Sequence, residues 1–119
     1  METSKLPVYN ATRELFLQIH RSTQKVPVDI RRGRVADIKE KVLKLLDSIA
    51  YANEAKDKRS RLDYIDGARA ILREVTIEIR CVFDLGLLRR KSFAAIMRYE
   101  DNVARQLAGW EKKTLSDAE

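Results

Sequence analysis

The strongest constraint in this chain is the spacing of its apolar residues. Between positions 35 and 52 they fall at Val35, Ile38, Val42, Leu45, Ile49 and Ala52, in alternating steps of three and four. That alternation keeps one stripe on a single face of an α-helix and breaks the every-second-residue pattern of a strand. It recurs at Ile65, Ala68, Leu72, Val75, Ile79 and Val82, and at Ile96, Val103, Leu107 and Trp110. A shorter version near the start has Leu15 and Ile19, with Ala11 and Phe16 placed beside them. Each stripe buries one face and leaves the other in water, so none of these helices is stable alone.

Two prolines and four glycines in 119 residues punctuate the pattern, mostly at its edges. Pro7 suits the first position of a helix. Pro27 and Gly33 interrupt the chain in "KVPVDIRRGR". Ser60, with Asp63 three residues on, reads as a capping box, and Gly86 in "DLGLL" suits a left-handed helix end. The expectation is a single all-α domain over residues 1–119, an antiparallel up-down-up-down four-helix bundle. Its helices are placed at about 7–24, 34–55, 61–84 and 92–112, with a frayed tail over 113–119.

The chain offers little for catalysis. A di-iron bundle site needs inward Glu-x-x-His pairs, yet His20 is the one histidine and position 17 is leucine. Zinc needs three or four convergent His or Cys ligands, and this sequence has His20 and Cys81. Nothing adjacent activates Cys81 as a nucleophile. Glu74, Glu78, Asp101 and Glu111 stand among basic residues on helices and read as solvated faces and ion pairs. "RRGR" matches no phosphate-binding loop. The expectation is a protein that is not an enzyme, with no metal and no cofactor. Cys81 has no intrachain partner, no run reaches the ~18 apolar residues of a membrane span, and the opening residues lack a signal-peptide core. A soluble cytoplasmic protein is expected.

Charge is the informative property. Twenty-four Lys and Arg against eighteen Asp and Glu give +6. Lys91, Arg98, Arg105 and Lys112 recur every seven residues and drift only ~20° per step around the last helix. They form a line nearly opposite the Ile96–Val103–Leu107–Trp110 stripe, interleaved with Ala95, Asn102 and Gly109 and with no acid on that face. Arg69, Arg73 and Arg80 share a sector of about 40° on the third helix. In an up-down bundle the first and third connections lie at one end, which brings together Arg31, Arg32 and Arg34 with Arg89, Arg90 and Lys91. The other end receives Lys56, Lys58, Arg59 and Arg61. Such lines suit contacts to a phosphate backbone, in which charge rather than base reading supplies affinity. The alternatives are a solvated face or an acidic protein partner. Ile77, with Cys81 and Ala70 near it, lies on the side of the third helix away from its core stripe, where a second subunit would cover it.

The stretches "LPVYNATRELFLQI" (6–19), "REVTIEIRCVFDLGLL" (73–88) and "ARQLAGW" (104–110) resemble a bacterial four-helix-bundle family. That family contains Avd, the accessory variability determinant of diversity-generating retroelements, and the proteins encoded in ribosomal RNA intervening sequences. The resemblance implies a non-catalytic, positively charged homopentamer that binds RNA or DNA and a reverse transcriptase, in support of mutagenic retrohoming. It implies a role for Arg80 on the third helix. One turn earlier, where some members carry a second arginine, this chain has Thr76.

Overall fold

The computed structural model describes residues 1–117. After a 3-10 turn at Thr3–Lys5, helix α1 spans Pro7–Ser22. Helix α2 opens as Val28–Ile30, widens into a π-helical segment at Arg31–Val35 and continues as Ala36–Glu54. Helix α3 is Lys58–Asp84 and α4 is Arg90–Ser116. Among the described residues there is no strand.

Each helix packs against two others. The pairs α1–α2, α2–α3, α3–α4 and α1–α4 are in contact, and neither diagonal is bridged among the described residues. A helix of 27 residues is about 40 Å long, which accounts for the molecule's 49 × 22 × 21 Å extents. The core is built from the stripes read in the sequence. Leu15, Ile19, Ile38, Leu45, Ile49, Ile79, Ile96 and Leu107 are all buried in it. Burying a side chain of this size contributes roughly 1.5–3 kcal/mol.

Several boundaries differ from the sequence expectation. Helix α1 ends at Ser22, not Gln24, where Thr23 turns back and donates its hydroxyl to Ile19 O at 2.7 Å. Phe16 is half-buried rather than in the core, at the α1–α2 edge under the Lys39 ammonium, 5.5 Å from its ring centroid. Val8 and Thr12 take the inward positions instead.

The second helix starts six residues earlier than expected, at Val28, so "RRGR" is helical rather than a loop. Ile30 packs against the core and Val35 is buried, five residues apart, which an α-helix would turn away from one another. A π turn, closing i to i+5, brings both to one side. The Ala36 N–H donating to Arg31 O is that bond.

Helix α3 is capped by Asp57, not by Ser60. The Asp57 carboxylate accepts the Ser60 N–H at 2.8 Å and the Ser60 hydroxyl at 2.9 Å. Those bonds hold its carboxyl below the ordinary 3.8. Gly86 closes α3 as expected. Its N–H donates to Phe83 O at 2.8 Å, and its φ of 79° turns the chain so that the Leu87 N–H reaches Val82 O at 3.2 Å, a Schellman motif. Helix α4 starts at Arg90 rather than Ser92 and runs to Ser116, so 113–116 belong to the helix and Thr114 is buried. Trp110 is half-buried against the core, and Thr114 closes the stripe one turn further on. Of the tail expected to fray, 118–119 lie outside the described residues.

The two ends of the molecule are tied differently. At one, Arg61 donates to Ala52 O at 3.0 Å and to Ala55 O at 3.3 Å, and Lys58 Nζ donates to Leu115 O and Asp117 O at 2.8 and 2.9 Å. Two cations from the first turn of α3 thus satisfy carbonyls at the ends of α2 and α4. At the other end, Arg31 Nη1 donates to Gln24 O at 2.6 Å. Between α2 and α3, Glu78 meets Arg34 at 3.1 Å and Lys41 at 3.0 Å, and its hydrogen bond raises the Lys41 ammonium above the ordinary 10.5.

Candidate nucleic-acid interface

The stripe that buries Ile96, Val103 and Leu107 turns the opposite side of α4 outward. On it Lys91, Arg98, Arg105 and Lys112 are all exposed, as are Asn102 and Gly109, with Ala95 half-buried beside them. Lys113, exposed because the helix continues past the point where the sequence suggested fraying, stands about 100° round from Lys112, at the flank of the line. The face is not free of acid, however. Asp101 lies within the same sector, one turn before Arg105, and its carboxylate is 3.2 Å from Arg105 Nε. Both side chains are largely exposed, 73% for Arg105 and 63% for Asp101. The line therefore carries four cations, one of them paired. A shallow recess of about 210 Å³ between Arg98, Tyr99 and Asn102 sits on its edge.

Gly109 leaves open space. A Cβ built there meets nothing within 4 Å, so its place in α4 is not required by packing inside this chain.

The α3 arginines divide by partner. Arg69 is bound to Glu111 of α4 at 3.0 Å, each about one-third exposed. Arg80 is exposed, with its guanidinium 5.3 Å from the Phe93 ring, which stacks on Phe83 at 4.2 Å between centroids. Thr76 donates its hydroxyl to Glu100 at 2.7 Å. These contacts close the α3–α4 seam. Arg73 is exposed and has no charge partner among the described residues. Arg69 is thus chiefly a seam residue, whereas Arg73 and Arg80 face solvent beside it.

The arginines expected in the first connection stand instead on the opening turns of α2. Arg31 is half-buried over Gln24, Arg32 is exposed, and Arg34 is paired with Glu78. Arg89, Arg90 and Lys91 are exposed around the start of α4. Arg89 does meet the first connection, across a cleft that also holds Arg21 and Lys25. Neither of those two was singled out in the sequence, because α1 carries no cationic line and Lys25 sits in an irregular segment. At the opposite end Lys58 and Arg61 are engaged by helix carbonyls, and Lys56 and Arg59 are exposed.

Ile77 is 63% exposed and Cys81 is exposed beside it on the outer face of α3. His20 is exposed on α1, its Nδ1 accepting from Lys39 Nζ at 2.9 Å. Helices α1 and α3 are diagonal, so His20 and Cys81 do not meet. No group of three or more His, Cys, Asp or Glu side chains gathers as a metal set among the described residues. No helix there is long and apolar enough to cross a membrane. Compared with known proteins, no family model matches the chain, and no curated protein matches it.

Proposed function

We propose that this protein is a non-catalytic accessory subunit that binds the phosphate backbone of RNA or DNA along α4 and serves a reverse transcriptase. The carrying observation is the outward face of α4, where Lys91, Arg98, Arg105 and Lys112 are exposed around Asp101, its one exposed acid among the described residues, with Lys113 at the flank. Arg73 and Arg80 widen this face toward α3, and Arg89 and Arg90 extend it to one end. Such an array neutralises successive phosphates without reading bases. The sequence resemblance to Avd proteins supplies the more specific part of the reading: a diversity-generating retroelement, mutagenic retrohoming and a pentameric assembly. Its intervening-sequence relatives would share the bundle and the RNA contact.

The reading takes the bundle as antiparallel, up-down-up-down. Connections of three to five residues between neighbouring helices support that course, since they are too short to run back along a helix about 40 Å long. Self-association through the outer face of α3 is supported by Ile77, which would otherwise leave a large apolar side chain in water.

The test separates nucleic acid from protein binding. RNA affinity and co-purification with a candidate reverse transcriptase are measured for the wild type and for Arg98→Glu/Arg105→Glu. The expected result is a steep fall of RNA affinity with salt and a large loss in the double variant. Unchanged RNA affinity in the variant refutes the α4 face. Lost reverse-transcriptase capture with RNA affinity intact points instead to a purely protein-binding bundle.

A further inference from the structure

Beyond the α4 line, the end of the molecule that joins α1 to α2 and α3 to α4 holds a concave site. Its volume is about 360 Å³, at the small end of ligand-sized pockets. Arg21 from the last turn of α1, Lys25 from the first connection and Arg89 from the third converge on it, and among the described residues no acid lines it. Among the described residues none of these three cations belongs to an ion pair. Buried Val26 and half-buried Leu87 supply an apolar floor, and Ser92 adds a hydroxyl at the rim. Arg89 and Ser92 bracket the opening turn of α4, which has no side-chain cap.

We propose that this cleft takes the terminal phosphomonoester of a nucleic-acid strand. A line of cations and a cluster of cations suit different phosphates. An internal phosphodiester carries a single negative charge and recurs along a strand, which suits the cations of α4, ~10 Å apart along the axis. A phosphomonoester carries about −1.5 to −2 at pH 7 and three acceptor oxygens, and it occurs only at an end. Three cations from three separate chain segments in one concavity match that denser charge, as does the positive end of a helix in its wall. The Val26–Leu87 floor suits the sugar or base of the terminal nucleotide. A strand end held here would let the following phosphates run on to Lys91 and along α4.

The inference rests on the nucleic-acid reading for its ligand, and its test keeps the two apart. One RNA oligonucleotide is prepared with a 5′-phosphate, with a 3′-phosphate, with hydroxyls at both ends, and as a circle. Binding is measured to the wild type, to Lys25→Ala/Arg89→Ala and to Arg98→Glu/Arg105→Glu. One phosphorylated form should bind the wild type at least about fivefold more tightly than the hydroxyl and circular forms, the worth of one further charge contact near 0.1 M salt. In Lys25→Ala/Arg89→Ala all forms should weaken and that ratio should fall to one. In Arg98→Glu/Arg105→Glu all forms should weaken with the ratio kept. Equal wild-type affinity for every form overturns the end cleft and leaves the α4 reading standing. A ratio that survives Lys25→Ala/Arg89→Ala also overturns it.

Titration of a nucleoside 5′-monophosphate, followed by amide NMR, gives the independent readout. If no oligonucleotide binds, the nucleic-acid reading has failed. Saturable shifts at Lys25, Arg89 and Ser92 would then still support a phosphomonoester site, filled by free nucleotide. Their absence would overturn the cleft as well.

Discussion

Removing the one acid from the α4 face should strengthen nucleic-acid binding. In Asp101→Asn the partner that holds Arg105 Nε at 3.2 Å is neutralised while the shape of the side chain is kept. The cost to the fold is small. A pair 73% and 63% exposed is solvated on both sides, and such pairs contribute 0–1 kcal/mol. The gain falls on binding instead, because Arg105 becomes available for one more phosphate. For a single strand each phosphate contact contributes about 0.7 to the slope of log K against log salt, which amounts to about fivefold in affinity at 0.1 M relative to 1 M. Fluorescence anisotropy across a salt series reads both quantities. Asp47→Asn is the control, since it makes the same change of charge on an exposed residue of α2, diagonal to α4. We expect less than a twofold effect there. Equal strengthening by both variants would show that overall charge acts rather than the α4 line. No strengthening by Asp101→Asn would refute the idea that Arg105 meets phosphate.

The glycines give opposite predictions. Gly109→Ala should stabilise the protein by about 1 kcal/mol in urea unfolding, because the added Cβ meets open space and the helix interior loses a flexible residue. Gly86→Ala should destabilise it by about 1–2 kcal/mol, because φ there is 79° and a side chain makes that conformation costly. Leu107→Ala, at a fully buried position, should cost about 2–5 kcal/mol by the same assay. The Asp57 cap predicts an acid limb. Its carboxyl is held below 3.8 in the folded state, so the stability it contributes is full above that pH and is lost as the pH falls through the lower folded value. Asp57→Asn should melt below the wild type at pH 7, and the gap should close as the pH falls below 3.8. A gap that does not change with pH would refute an ionic contribution.

The core was legible in the sequence because the stripes of α2, α3 and α4 keep one period over about four to five turns, and all their Ile, Val and Leu members are buried. The start of α2 was not legible for the same reason. Ile30 and Val35 are five apart and fit no α-helical stripe, and Gly33 between them reads as a breaker. Only a π turn reconciles that spacing with one buried face, and π turns are too rare to be assumed. The caps failed locally in a similar way. Asp57 and Ser60 are both good capping residues three positions apart, and the choice between them depends on where Ala55 leaves α2.

The candidate interface was legible in its geometry and less so in its electrostatics. A seven-residue spacing fixes where Lys91, Arg98, Arg105 and Lys112 point, but not what neutralises them. Arg69 looked equivalent to Arg73 by position, yet Glu111 lies across the seam from it. That partnership depends on the register between two helices, which no single-helix pattern contains. The Arg21–Lys25–Arg89 cleft is likewise invisible along the chain, since its members come from three segments.

The same pairings show why the net charge of +6 understates the field at α4. Over residues 36–54, α2 exposes Asp37, Glu40, Asp47 and Glu54 against Lys44 as its fully exposed cation. Helix α4, on the diagonal, exposes Arg90, Lys91, Arg98, Arg105, Lys112 and Lys113 against Asp101. The exposed charge is therefore more positive on α4 than on this stretch of α2, while α3 beside it exposes Asp63, Asp66, Glu74 and Asp84. Within a Debye length of about 10 Å at 0.1 M salt, a strand near α4 is screened from α2, which lies across a molecule about 21 Å wide. On the proposed reading, a polyanion is steered toward the α4 face before any contact forms. This ordering is why Asp101, rather than any of the more numerous acids of α2, is the residue whose removal should be felt.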